Sequence, residues 1–299
     1  MINRTGLGIA SALVAAGLYG FVPNLVHIGN SHGVPSVEAT FARTSLIAVA
    51  LAIVGILQSQ RFFIPRAAYK SFAAQAASTL AISVGYLASV QFIAVSLAVI
   101  IFFTFPVIIL LAAPLIEGRK PGAVRIVIAA FAFLGLAIAV GPSFQSIDLR
   151  GVALAVMSSA GAAVQFFSGR ALSRYLPAAV LGSLAHVAIW PGTLAVALWF
   201  GGGVLNIFPG GTADGIGFAA LAGLGLVYVI AFFLQMSSLR YAPASTVAPF
   251  YNLEPVVTTA IAGAVLGERL ALNQYAGGAM VLAALIASSL YGTWQSRRA

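Results

Sequence analysis

"SLAVIIFFTFPVIILLAAPLIEGR" (residues 96–119) lies over "STVAPFYNLEPVVTTAIAGAVLGE" (residues 245–268) at an offset of 149. Ser96 falls on Ser245 and Pro106 on Pro255. Farther upstream, "LGIASALVAAG" in the first half matches "RGVALAVMSSAG" in the second at an offset of 143. The chain therefore reads as two related halves, 1–142 and 143–299, within one membrane domain. A helix crossing a bilayer core of about 30 Å needs about 20 apolar residues. Ten segments fit: 5–28, 36–57, 71–90, 93–116, 122–140, 151–171, 177–200, 215–238, 243–266 and 271–291. The linkers between them, such as "NSHGVP", "EGRKPG" and "GPSFQSIDLR", are turn-forming or charged. The 90–93 connection is so short that it predicts adjacent, antiparallel spans 3 and 4.

Five spans per half is an odd number, so the second half enters the membrane from the opposite side. The expected fold is an all-α integral membrane protein, with ten transmembrane helices as two inverted five-helix repeats around a central cavity. Inverted halves are a common transporter design, with the substrate site near the midplane where the repeats meet.

Composition agrees. The chain is 61% hydrophobic and 7% charged, against about 25% charge in a soluble domain. Its net charge of +9 does not imply nucleic acid. The basic residues sit in short loops, as orientation signals do, and not clustered on a solvated face. With the N-terminus in the cytoplasm, twelve Lys and Arg fall on that side and only Arg150 and Arg269 outside. The expected location is the cell membrane, multi-pass, with both termini cytoplasmic. The basic start leads into an apolar stretch well beyond the roughly 7–15 residues of a signal core, so it reads as a retained first helix. There is no cysteine, which excludes disulfides and thiolate chemistry.

Glu254 is the one carboxylate near the centre of a span. Burying a charge there costs about 2.5–3.5 kcal/mol on insertion scales, and such residues face cavities or partners by default. Either it serves a cavity, or it is protonated and pins a neighbouring helix. Pro255 and Pro106 cannot donate to the helix ladder; at equivalent places they read as paired hinges beside a cavity. Phe250, Tyr251, Glu254 and Thr258 share a helix face. So do Thr79, Ser83 and Tyr86 in span 3, and Tyr228, Phe232 and Gln235 at the same offset in span 8. Spans 3, 4, 8 and 9 are expected to line the pocket, although helix–helix hydrogen bonding explains any one small polar residue equally well.

Arg43 lies about seven residues, roughly 10 Å, inside span 2. It is a candidate charge partner for a substrate carboxylate or for Glu254; the alternative is snorkelling or pairing with Glu38. His186 is a candidate proton relay or a packing residue. Gln165 and Asn24 are expected to face inward. Gly263 and Gly267 form a close-packing pair, and Trp190, Trp199 and Trp294 read as interfacial anchors, with Trp190 alternatively lining the pocket.

Asp148 and Asp214 sit in loops, so an intramembrane aspartyl pair is excluded. No G-x-S-x-G, H-E-x-x-H or P-loop occurs, and His27 and His32 make a poor metal pair. No catalytic residue, metal or cofactor is expected, and the chain does not read as an enzyme.

The opening "GLGIASALVAAGLYG", "LEP" at 253–255 and "VLGERLALNQYAGGAMVLAA" at 265–284 resemble the drug/metabolite transporter superfamily, specifically its EamA-type exporters. The resemblance covers essentially the whole chain. Pro255, Gly267 and Glu268 match the family pattern in the second half. The first half departs from it: Phe105 stands where Glu254 would be, and "EGR" replaces "GER". The overall look is similar to the bacterial exporters of amino acids, including aromatic ones. It implies a basket of ten helices around a central cavity.

The residues themselves are compatible with that. Phe102, Phe103, Tyr86, Tyr228, Phe232, Phe250 and Tyr251 offer rings for stacking and cation–π contact. Ser83, Asn252 and Gln235 offer hydrogen bonds to an amino-acid backbone. The expected function is secondary export of small metabolites, most of all amino acids including aromatic ones, by alternating access. The alternatives are an exporter of aromatic or quaternary cationic drugs and, in a different class, an intramembrane enzyme or scaffold. The expected partners are a small-molecule substrate and the lipid bilayer; the sequence leaves oligomeric state open, a monomer included.

Overall fold

The computed structural model describes residues 4–89, 92–118, 122–141, 148–200, 205–207, 211–265 and 271–298. Arg119, Lys120, Gly267, Glu268 and Arg269 lie outside these, as do the side chains of Trp294, Arg297 and Arg298. Among the described residues every regular element is helical. A backbone in lipid must satisfy its own polar groups, and a helix does so within one segment.

The ten spans are built from thirteen helices. Span 1 is α1 (Arg4–Tyr19) and α2 (Val22–Ser31); span 2 is α3 (Ser36–Leu57); span 3 is α4 (Tyr69–Ser89). Span 4 is α5 (Val95–Phe102) and α6 (Phe105–Ile116), and span 5 is α7 (Ala123–Val140). Spans 6, 7 and 8 are α8 (Leu149–Leu172), α9 (Ala178–Phe200) and α10 (Gly215–Tyr241). Span 9 is α11 (Ala244–Val247), a 3₁₀ turn (Ala248–Asn252) and α12 (Leu253–Val265); span 10 is α13 (Leu272–Arg298). Among the described residues, seven of the ten are long and apolar enough, by length and composition, to cross a membrane. Span 3 is not among them, in keeping with its Gln75, Ser78, Thr79 and Ser83.

Three spans are broken and not merely kinked. The expected hinges at Pro106 and Pro255 lie in the first turns of new helices, where the first four N–H groups lack intrahelical acceptors in any case. The break in span 1 at Gly20–Phe21 was not expected from the sequence. Pro23 starts α2 there, and a Cβ on Gly20 would lie 2.6 Å from Val257 Cβ. The chain thus yields where span 1 crosses span 9. Pro191, by contrast, leaves α9 continuous.

The packing repeats itself when each span number is advanced by five. Span 1 packs on span 8, and span 6 on span 3. Span 2 also meets span 8, and span 7 meets span 3. Spans 2 and 7 cross each other, as do spans 5 and 10. The close approaches follow the sequence offsets. A Cβ on Gly8 would lie 2.7 Å from Ala242 Cβ, and one on Gly151 2.8 Å from Ile93 Cγ2. Gly8 and Gly151 are related by the offset of 143, Ile93 and Ala242 by that of 149. Spans 5 and 10 meet where a Cβ on Gly277 would lie 2.3 Å from the Gly135 carbonyl oxygen.

Candidate functional site

Glu254 begins α12 directly after the 3₁₀ turn. Its side chain is half-buried, and no described residue gives its carboxylate a hydrogen bond or ion pair. It is close enough to interact electrostatically with Arg43, Tyr19, Tyr86 and Tyr251. In the first half, Phe105 holds the equivalent place and is buried among Phe102, Phe103 and Phe166. The site is therefore two-fold in scaffold and one-fold in charge.

Arg43 projects from α3 with its guanidinium carbon 4.1 Å from the centre of the Tyr228 ring. It does not pair with Glu38, contrary to one sequence expectation. Glu38 is fully buried and accepts from Asn206 Nδ2 at 2.8 Å and from the Ile207 N–H at 3.1 Å. That carboxylate ties the loop after α9 to the start of α3, and Arg43 lies instead over the Tyr228 ring.

A hydrogen-bonded chain crosses the core. The Tyr19 hydroxyl donates to Gln235 Oε1 at 2.7 Å, and Gln235 Nε2 to Gln165 Oε1 at 3.3 Å. Gln165 Nε2 donates to Thr79 Oγ1 at 2.9 Å, and that hydroxyl to the Gln75 carbonyl at 2.7 Å. Ser168 donates to Gln75 Oε1 at 2.6 Å. Spans 1, 8, 6 and 3 are joined in that order. Ser83 is buried one turn beyond Thr79.

Rings run beside it. Tyr86 meets Phe102, Phe102 meets Phe103 and Phe105, Phe105 meets Phe166, and Phe166 meets Tyr251 edge-on at 5.0 Å. Tyr251 continues to Tyr19, Tyr19 to Tyr228, and Tyr228 to Phe232. Phe102 and Tyr251 are equivalent by the 149 offset and both lie on this path. His186 is buried edge-on to Phe232 at 4.6 Å, with Nδ1 2.8 Å from the Gly182 carbonyl. A carbonyl only accepts, so Nδ1 carries the proton.

Among the described residues, two polar atoms of the 3₁₀ turn, the Tyr251 hydroxyl and Asn252 Oδ1, are buried without a hydrogen-bond partner. The Ser238 hydroxyl lies beside Tyr251 but donates to the Gln235 carbonyl. Asn24 ties span 1 to span 9 through the Thr258 carbonyl at 3.1 Å. Trp190 stands apart from this path of rings, packed on Phe41 and donating to Ser45 Oγ at 2.9 Å.

The sequence reading missed Tyr19, Gln75, Phe166 and Ser168. Gln75 is one turn before Thr79 on the face already singled out. Tyr19 directly precedes the Gly20–Pro23 break, whose turn chemistry was its signal. Phe166 and Ser168 carry no such mark, because only the packing of span 6 on spans 3 and 9 reveals them.

Ten spans in exchange-related halves, with rings, amides, one cation and one carboxylate gathered at their core, define a polytopic membrane protein. The chain belongs to the EamA-like transporter family, which matches residues 6–141 and again 149–290. It is 30% identical over 216 residues to the threonine/homoserine exporter RhtA of Salmonella typhimurium (strain SL1344), covering 70% of this chain. It is 31% identical over 218 residues to the RhtA of Escherichia coli (strain K12), again covering 70% of this chain. The chain spans 66% of the length of each of these curated relatives. A solved crystal structure of a protein only 13% identical shares the fold, with a TM-score of 0.81 over 95% of this chain and 98% of that one.

Proposed function

We propose that the chain is a secondary exporter of small amino acids, working by alternating access of the central chamber. The observation that carries this is that Arg43 and Glu254, from spans 2 and 9, lie within electrostatic reach of each other beside one set of aromatic rings. An amino acid presents a carboxylate and an ammonium group. Arg43 offers the first a planar fork, and Glu254 offers the second an acceptor that no described residue engages. A hydroxyl on the substrate side chain finds donors and acceptors in the Tyr19–Gln235–Gln165–Thr79 chain. The names of the relatives, threonine and homoserine exporters, support the same substrate class.

In this reading the halves 1–142 and 143–299 rock about the broken spans at Pro106 and Pro255. The membrane is the cell membrane, and the N-terminal face, with its excess of Lys and Arg, is cytoplasmic. No catalytic step or cofactor is needed. A second reading, export of aromatic amino acids or flat cations, is favoured by the continuous path of rings.

The test is counterflow in liposomes holding the purified protein, with labelled threonine, homoserine, phenylalanine and methyl viologen as the panel. Movement of threonine and homoserine is expected. Movement of methyl viologen alone would replace this reading with that of a drug-cation exporter.

A further inference from the structure

The first half, residues 1–142, has two carboxylates, Glu38 and Glu117. They lie at opposite faces of the membrane. Glu38 is in the first turn of α3, on the face away from the N-terminus, and Glu117 ends α6 on the face that carries it. Each reaches across to the second half with both of its oxygens. Glu38 Oε1 accepts from Asn206 Nδ2 at 2.8 Å, and its Oε2 from the Ile207 N–H at 3.1 Å. Glu117 Oε1 accepts from the Ala244 N–H at 2.7 Å, and its Oε2 from the Ser245 hydroxyl. The two arrangements are alike: consecutive residues of the second half supply one backbone N–H and one side-chain donor.

A carboxylate at the C-terminal end of a helix opposes the helix dipole, so α6 itself does not hold Glu117 in place. Its partners open span 9, and it thereby joins α6 to α11, the segments on the N-terminal side of the two proline breaks. Both clasps sit on spans that carry the charges of the central site. Glu38 precedes Arg43 on α3, and Ala244 and Ser245 begin the span that carries Glu254. Lesser ties between the halves accompany each. The Thr212 hydroxyl donates to the Gly33 carbonyl at 3.0 Å on the face of Glu38, and Arg125 Nη1 to Thr246 Oγ1 at 3.4 Å on the face of Glu117.

We propose that Glu38 and Glu117 are the gate latches of the transport cycle, Glu117 closing the N-terminal face and Glu38 the opposite one, and that they release one at a time. The inference rests on the reading of the chain as an alternating-access exporter. A carboxylate holds its donors more strongly than a neutral acceptor does, and both of its oxygens must let go before its face opens. Release of Glu38 frees the start of α3 and with it Arg43. Release of Glu117 frees the start of span 9 and with it Glu254. Each latch thus couples the opening of one face to one of the two charges offered to the substrate.

The chain has no cysteine, so Ser83→Cys places a single thiol at a buried position of span 3. The full chain carrying it, with an N-terminal tag, is put into phosphatidylcholine liposomes, and a membrane-impermeant maleimide is added outside. Cleavage of the tag by external protease sorts the molecules that show the N-terminal face from those that show the opposite one. Glu117→Gln leaves one of two donors without its acceptor and should speed labelling about tenfold or more, from the N-terminal face only. Glu38→Gln should do the same from the opposite face only. Ser245→Ala and Asn206→Ala each remove a donor and keep the carboxylate. They should speed labelling less, each from the face of its own glutamate, and they carry the test if a glutamate variant does not fold. Acceleration from both faces by one variant would mark general loosening and overturn the proposal, as would labelling that no variant speeds. Labelling needs no solute. Unmoved labelling beside intact threonine counterflow by the wild-type chain therefore sinks the latches alone. One-sided acceleration with no counterflow by the wild-type chain sinks the exporter reading and leaves two gates.

Discussion

The guanidinium carbon of Arg43 lies 4.1 Å from the centre of the Tyr228 ring. A cation on span 2 is thus held against an aromatic face on span 8. At that range the attraction is worth about 0.5–1 kcal/mol when exposed and about 2 when desolvated. Tyr228→Phe keeps the face and should leave threonine KM within about twofold, whereas Tyr228→Leu, losing up to about 2 kcal/mol, should raise it by up to about thirtyfold. Counterflow kinetics check this. Equal effects of the two variants would show that the ring merely fills space.

Gln235 joins Tyr19 to Gln165. Gln235→Leu leaves a tyrosine hydroxyl and an amide unpaired in a buried setting, at about 1–3 kcal/mol for each group. The thermal midpoint should fall accordingly. Gln165→Leu added on top should cost less than the sum of the two single changes, since both break one network. Strict additivity would mean that the two amides act independently.

Gly277 faces the Gly135 carbonyl, and a Cβ there would also lie 2.4 Å from the Ala139 backbone nitrogen. Backbone atoms cannot rotate aside. Gly277→Ala should cost at least the upper end of the overpacking range of about 1–3 kcal/mol, read as lost yield of monodisperse protein. Gly17→Ala is the control, because a Cβ there meets nothing within 4 Å. A well-behaved Gly277→Ala protein would mean that spans 5 and 10 are not in tight contact.

Asp214 caps α10 in the loop before it, accepting from the Gly217 N–H at 2.8 Å and facing His32 Nδ1 at 2.8 Å. The Gly217 N–H first, and His32 second, hold its carboxyl below the usual range. A pKa lowered by folding contributes stability fully above the unfolded value of about 3.9 and loses it as pH falls through the folded value. The gap in thermal midpoint between wild type and Asp214→Asn should therefore be constant near neutrality and close on acidification below that value. A gap independent of pH would show that the charge does not matter.

Much of this architecture is legible in the chain. Apolar length gives the ten spans, and the Pro106–Pro255 register gives the equivalence that the contacts of Gly8 and Gly151 repeat. Thr79, Gln165 and Gln235 were legible because lipid offers polar side chains no partner, so they turn inward. What the chain hides is which inward residues meet. Helical phase gives a face but not the neighbour opposite it. The chain left Arg43 open to snorkelling, to pairing with Glu38 or to a role as a charge partner, and only the loop residues Asn206 and Ile207, which claim Glu38, exclude that pairing. The break at Gly20 had a local signal in Gly20 and Pro23, but its close approach to Val257 on another span had none.

The most direct test of the central claim is threonine counterflow in liposomes by the wild-type chain and by Glu254→Gln. A charge-assisted hydrogen bond is worth about 1.5–3 kcal/mol, so the variant, folded to the same thermal midpoint, should lose about tenfold to a hundredfold in kcat/KM for threonine. Equal exchange by the two proteins would contradict the account, and would make Glu254 a packing residue of span 9.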